Sequence, residues 1–247
     1  MDEVNQLSIL RVEGLRKQYR LKLAVSDVSF AMQQGQIVGL LGPNGAGKTT
    51  TFYMIAGFIK TTDGKVWLDN KDITLKPMYY RARLGINYLP QEPSVFRKLT
   101  VSQNVQAAIE TRRDLNKADK KILLESLLVD LGIADLAKRH ADTLSGGERR
   151  RTEVCRALAV NPSFLLLDEP FSGIDPIAVS DLRSIIAHLS EKNIGVLITD
   201  HNVRDTLSIT QHAYIINHGE ILTGGTADDL INDSRAREIY LGKDFTL

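Results

Sequence analysis

The stretch GLLGPNGAGKTTTFYMIAG, residues 39–57, decides the fold. It sets glycines, a lysine and three threonines between an apolar run and a segment of helical length. Gly42, Pro43, Asn44, Gly45, Ala46, Gly47, Lys48 and Thr49 match the pattern Gly-x-x-x-x-Gly-Lys-Ser/Thr in full. Each position has a chemical reason. Glycines let backbone N–H groups turn inward around a phosphate chain, where a Cβ would collide with it. A helix that starts near Gly47 aims its free N–H groups and its positive end at the same oxygens. Lys48 is then placed to bridge the β- and γ-phosphates, the Thr49 hydroxyl to bind Mg²⁺, and Thr50 to add a phosphate contact. The plainer reading is a glycine turn with no ligand; the full match, between strand and helix, argues against it.

Bulk composition sets the frame. The chain has 247 residues, 43% apolar and 25% charged, which suits one globular domain with a sub-domain. A net charge of +1 gives no sign of a nucleic-acid binder. The single cysteine, Cys155, excludes an internal disulfide and fits a reducing compartment. The opening MDEVNQLSIL lacks the basic and apolar regions of a secretion signal, and no run approaches the roughly 18 apolar residues of a membrane span. The expectation is a cytoplasmic chain with no direct membrane insertion.

Along the chain, residues 9–38 read as strands, ending in the denser apolar run QGQIVGLLG. KTTTFYMIAGFI reads as a helix that ends at a turn at Asp63-Gly64, followed by a hairpin around Asp69-Asn70. Residues 100–140 contain no proline, and Leu123, Leu127 and Leu131 mark one helical face, so a helical sub-domain is expected there. A helix over 148–160 leads to the strand FLLLDEP, and a helix over 176–192 to the strand GVLITDH. That alternation implies crossover connections and a parallel sheet, an α/β fold.

FLLLDEP places Asp168 and Glu169 at a strand exit, where α/β sheets bind ligands. Asp168 is the candidate Mg²⁺ carboxylate and Glu169 the candidate general base. Two solvated acids at a strand end are the plain alternative. His201 ends GVLITDH and could face the γ-phosphate or be an ordinary surface histidine. Gln91 follows INYLP and could reach Mg²⁺ or the attacking water. Tyr19 is open between stacking on a base and packing in the core.

One stretch has no task in a lone nucleotide site. TLSGGERRR, residues 143–151, sets a serine and two glycines before a helix, a second anion-binding N-terminus. A head-to-tail dimer, in which this cradle closes over the other copy's ATP, resolves the duplication. With these residues in place, the sequence resembles the ATP-binding cassette (ABC) family along essentially its whole length. The matches run in the family's order: Gly42–Thr49, Gln91, the signature 144–148, Asp168 and Glu169, the 172–175 loop, and His201. Glu148 stands where many cassettes carry glutamine.

The resemblance implies a P-loop NTPase fold. Its parts are a RecA-like parallel-sheet core with an antiparallel β subdomain (about 7–91 and 155–225), an inserted helical subdomain (about 92–154) and a tail (about 226–247). It implies that Tyr19 stacks on adenine, and that Ser145, Gly146, Gly147 and Glu148 reach the ATP of the opposite subunit. Asp175 takes the family's D-loop position, and ATP and Mg²⁺ are the implied cofactors. A homodimer would drive two permease subunits, gripped at Phe96, Arg97 and Leu99; the alternative for Phe96 is its own sub-domain's core. YLPQEPSVFRKLTV, LSGGERRRTEVCRAL and YLGKDFTL resemble the cassettes of lipopolysaccharide export at the inner membrane. In that resemblance the tail around residues 240–245 helps assembly. Cys155, Ser172 and Ile174 depart mildly from the pattern, and Cys155 reads as a packing position. Branched-chain amino-acid import is the alternative, and a soluble ATPase acting on ribosomes or DNA the remoter one.

Overall fold

A computed structural model describes residues 7–242 and 245. The first six residues and most of the closing pentapeptide lie outside the described residues, as does part of the tail expectation.

The chain opens with β1 (Ile9–Tyr19), β2 (Lys22–Gln33) and β3 (Ile37–Leu41), then α1 (Lys48–Ala56). β4 (Asp63–Leu68), β5 (Lys71–Asp72), α2 (Met78–Arg83) and β6 (Ile86–Leu89) follow. Next come α3 (Val101–Ile109), α4 (Lys117–Asp130) and α5 (Gly146–Leu158). β7 (Phe164–Asp168), α6 (Pro176–Glu191), β8 (Gly195–Thr199) and α7 (Val203–Leu207) alternate. β9 (His212–Asn217), β10 (Glu220–Gly225), α8 (Ala227–Asn232) and α9 (Ser234–Ala236) close the fold. The strands lie in the order β5-β4-β1-β2-β10-β9-β3-β8-β7-β6.

The sheet has two characters. β9, β3, β8, β7 and β6 are parallel neighbours. Every residue of β3, β7 and β8 is buried, as strands covered on both faces require. β1 pairs antiparallel with β2 and β4. In these strands burial alternates, with Leu10, Val12, Val28, Phe30 and Met32 inward. β9 and β10, absent from the sequence reading, pair antiparallel and join the two parts.

The proline-free segment 100–140 forms two helices. Asn116 accepts from the N–H groups of Ala118 and Asp119 and starts α4 afresh. Leu127 and Leu131 are buried and Leu123 packs beside them. Cys155 is fully buried in the same cluster, and burial pushes its thiol up to about 12.

The structure corrects one boundary. α1 ends at Gly57, in the left-handed region at φ 82, and the N–H groups of Gly57 and Phe58 both turn back to Tyr53 O. Asp63-Gly64 opens β4; it is no turn after the helix. The end of α1 is held by a residue with no signal in the sequence. The buried Arg81 donates from Nη1 to Met54 O (2.7 Å) and Ile55 O (2.6 Å), from Nη2 to Thr74 O (2.8 Å), and from Nε to Lys76 O (2.8 Å). Burial lowers its pKa to about 10. Among the described residues no helix is long and apolar enough to cross a membrane.

Replacing Arg81 with methionine leaves these carbonyls without donors. The expected loss is roughly 2–4 kcal/mol of unfolding free energy, read as a lower urea midpoint. Lysine should recover only part of it, since one ammonium cannot serve the forked set.

Candidate nucleotide site

Four parallel strands deliver the candidate residues to one edge of the sheet. β3 leads into Gly42–Thr49, β6 into Gln91, β7 ends at Asp168, and β8 leads to His201. Burial of these strands fixes their ends laterally.

At the loop, Gly42 and Gly47 have φ values of 152 and 110. A Cβ on Gly42 would lie 2.1 Å from Ile216 O, and one on Gly47 2.8 Å from Ala24 O. Both positions therefore need glycine for backbone conformation and for close approach. Gly47 caps α1 without any side-chain bond, so the first N–H groups of that helix keep no side-chain acceptor at the cap. Lys48 is 6% exposed, and its Nζ donates to Gly42 O (2.7 Å) and Pro43 O (3.1 Å). Burial lowers its pKa, opposed by the charges of Glu169, Asp168 and Asp200. Thr49 is exposed and Thr50 half-buried, at the first turn of the same helix.

The carboxylates are differently placed. Asp168 is buried; its Oδ2 accepts from the Tyr88 hydroxyl (3.0 Å), while Oδ1 has no hydrogen-bond partner among the described residues. Burial raises its pKa. Glu169 takes a left-handed backbone at φ 46, and its N–H donates to Thr199 O at 2.7 Å. His201 Nε2 pairs with Glu169 Oε1 at 2.6 Å, and Gln91 Nε2 donates to Glu169 Oε2. The structure thus joins Gln91, Glu169 and His201 in one bonded set. The reading of Asp168 and Glu169 as two solvated acids is corrected, since both are buried.

The sequence reading missed three groups here. Asp200, also buried, accepts from the N–H groups of Phe171 and Asn202 at 2.9 Å each. Arg150 donates to Pro90 O (2.8 Å), Glu153 Oε2 (3.2 Å) and Asp168 O (3.4 Å). In a run of three arginines nothing marks the middle one as buried, except its spacing of three from Glu153. Tyr88 completes an aromatic trio with Tyr53 (5.8 Å between centroids) and the half-exposed Phe58 (5.2 Å).

Ser145 caps α5. Its Oγ accepts from Glu148 N–H (3.3 Å), and Glu148 Oε2 accepts from Ser145 N–H (2.8 Å), a capping box. Gly146 lies against Gly173 and Ile174, and a Cβ on Gly147 would come within 2.5 Å of Ala178 Cβ. Asp175 is the N-cap of α6, accepting from Ala178 N–H at 3.0 Å.

Tyr19 is 45% exposed with Lys17 Nζ 5.1 Å from its ring centre, which corrects the core reading. Phe96 is 53% exposed, so its core reading is corrected too. The Arg156 guanidinium stands 5.2 Å from the Phe96 ring and donates to Ser94 O at 2.7 Å. Arg97 is exposed and Leu99 half-buried.

A family described as ABC transporter matches residues 25–172 of the chain. The chain belongs to the ABC transporter family. It is similar to the "Lipopolysaccharide export system ATP-binding protein LptB" of Haemophilus influenzae, 50% identical across 98% of this chain and 100% of that protein. The protein of the same name in Escherichia coli K12 is 47% identical over the same shares. An uncharacterised ABC transporter ATP-binding protein of Rhizobium meliloti is 49% identical over 100% of this chain and 91% of its own. Among solved structures, the ADP conformation of an ATP-binding cassette of an ABC transporter superposes with a TM-score of 0.85 at 29% identity, covering 96% of this chain and all of that one. This ABC cassette is accordingly a nucleotide-binding ATPase.

Lys48→Ala removes the ammonium that rests on the carbonyls of Gly42 and Pro43. ATP affinity, measured by calorimetry, should fall at least about tenfold, the loss of a charge-assisted bond of roughly 1.5–3 kcal/mol. Unchanged binding would defeat the assignment of Lys48 to phosphate.

Proposed function

We propose that this cassette is the ATP-hydrolysing subunit of a lipopolysaccharide export system. In this reading it works as a homodimer at the cytoplasmic face of the inner membrane, attached through two permease subunits. The observation that carries the reading is the 50% identity to the Haemophilus influenzae export protein along almost the whole of both chains. Where the relatives reported above name a cargo, it is lipopolysaccharide, which does not favour the import alternative.

The residues support a division of labour. Tyr19, exposed at the end of β1, stacks on the adenine, and Gly42–Thr50 hold the phosphates. On ATP binding, Lys48 exchanges the carbonyls of Gly42 and Pro43 for β- and γ-phosphate oxygens. Glu169 takes the proton of the attacking water; Gln91 and His201, bonded to its two oxygens, orient it. His201 is then placed to turn toward the γ-phosphate.

The residues fit Mg²⁺. Asp168 Oδ1 is an open acceptor on a buried carboxylate, and Thr49 supplies a hydroxyl at the head of α1. Gln91 is the third candidate ligand. When bound, the ion neutralises phosphate charge.

Two ATP molecules are sandwiched between copies, with Ser145, Gly146, Gly147 and Glu148 of one closing over the ATP of the other. Asp175 shapes the adjoining loop by capping α6. The exposed Phe96 and Arg97, with Leu99, form the grip for the permease. Nothing in this scheme calls for nucleic acid.

Glu169→Gln is expected to bind ATP normally, to lose at least about a hundredfold in turnover, and to elute as an ATP-stabilised dimer. Full hydrolysis by that variant would remove Glu169 as the base. A tagged copy purified from detergent-solubilised host membranes should bring two lipopolysaccharide-export permeases, with the cassette at two copies per complex. Phe96→Asp should release them while leaving the cassette's own ATPase intact. Amino-acid permeases or ribosomes in the eluate would overturn the cargo.

A further inference from the structure

We propose that Arg139 is a positioning residue for the signature. By pairing with Glu148 it holds that side chain in the capping box and cancels a negative charge beside the N–H groups that are to receive phosphate. This inference rests on the sandwich reading above and adds a residue to it.

Glu148 occupies a conflicted place. It is the third residue of α5, and its carboxylate closes the capping box on Ser145. A negative charge suits the positive end of a helix. The same helix end is proposed to receive the phosphates of an opposing ATP, and a carboxylate there repels them. The Ser145 backbone N–H, and after it the Arg139 charge, hold the Glu148 carboxyl below the ordinary glutamate range, so the group is ionised at neutral pH.

Arg139 answers both demands. Its Nη1 donates to Glu148 Oε1 at 3.1 Å, leaving Oε2 to the cap, and its Nη2 donates to Thr143 O at 2.7 Å. One planar guanidinium thus bridges the turn before the signature and the first turn of α5. Its backbone is fixed on both sides: Arg139 N–H donates to Leu136 O (2.8 Å), and Arg139 O accepts from Val101 N–H (2.9 Å). The fork is therefore carried on a braced loop. The pair is partly exposed, so its worth as a stability contact is small. Its consequence is the local charge: with Arg139 gone, a lone carboxylate faces an incoming polyanion.

The test uses the full chain in the Glu169→Gln background, with R139A, E148Q and R139A/E148Q. Light scattering reads the ATP concentration at half-maximal dimer. R139A should raise it about three- to tenfold at low salt, a like-charge repulsion across several ångströms, with the effect shrinking as salt screens it. E148Q in the R139A chain should return it toward the parent value, because the amide oxygen keeps the cap without the charge. An R139A chain that dimerises like the parent, or one that E148Q fails to rescue, overturns the inference. Should the parent itself stay monomeric at saturating ATP, the sandwich reading falls separately. The pair is then judged by hydrogen exchange without nucleotide: faster exchange of the 146–149 amides in R139A upholds the positioning role, and unchanged exchange overturns it.

Discussion

Lys48 is buried under the loop it belongs to, and its ammonium rests on the carbonyls of Gly42 and Pro43. An ammonium in that position is tolerable only where negative charge surrounds it. The sheet supplies that charge: Asp168, Glu169 and Asp200 come from the ends of β7 and β8, and each draws on Lys48. From α5, Arg150 donates to the backbone carbonyl of Asp168 and feels the charges of Glu153, Asp200 and Asp168. Without the parallel register that brings these strand ends to one edge, the cation and the acids would be buried apart, each at a cost of several kcal/mol. The fold and the charge balance of the edge require each other.

This balance also sets what ATP must displace. Several strong groups at the edge are satisfied internally: Lys48 by carbonyls, Glu169 by His201 and Gln91, one oxygen of Asp168 by Tyr88. In the proposed site, binding is then an exchange of bonds, in which lysine trades neutral carbonyls for charged phosphate oxygens. Asp168 Oδ1, without a hydrogen-bond partner among the described residues, has nothing to give up. An open acceptor on a carboxylate that burial already makes reluctant to ionise gains most from a cation.

The sequence and structure agree where one local rule controls the outcome. The glycine loop is legible as a strand-to-helix turn because the close approach of Ile216 and Ala24 demands glycine at Gly42 and Gly47, and the central strands because burial on both faces makes them uniformly apolar. The end of α1 differs from the expectation because Asp63-Gly64 looks like a turn, whereas Gly57, already inside the helical run, takes the left-handed cap. β9 and β10 leave little signal, since the half-exposed residues of β10 give a weak pattern. Tyr88, Arg81, Arg150 and Asp200 each also take a partner far along the chain, Asp168, Met54, Pro90 and Phe171, and neighbouring residues carry no trace of those pairings.

Two routes lead to the two halves of the proposed ATP sandwich, one from the proposed permease grip and one from the half-exposed Phe58. Arg97 and Leu99 accept backbone bonds from Asp142 and Ala141, on the loop that carries Arg139 and, through it, Glu148 and Ser145. Phe58, half-exposed, packs on Tyr88, whose hydroxyl holds Asp168. The first route is made of hydrogen bonds and charge, the second of ring packing ending in a single bond. A partner that pushes on the grip would bear on the proposed phosphate cradle through the first, and one that pushes on Phe58 would bear on a carboxylate through the second. Contiguity supplies only the route; coupling energy arises where a partner binds two arrangements of these groups unequally. Single bonds such as Arg139 to Glu148 have two discrete states, made and broken, and so can be biased by ligands at both ends. Packed rings deform little, so the aromatic route transmits position more than it stores choice.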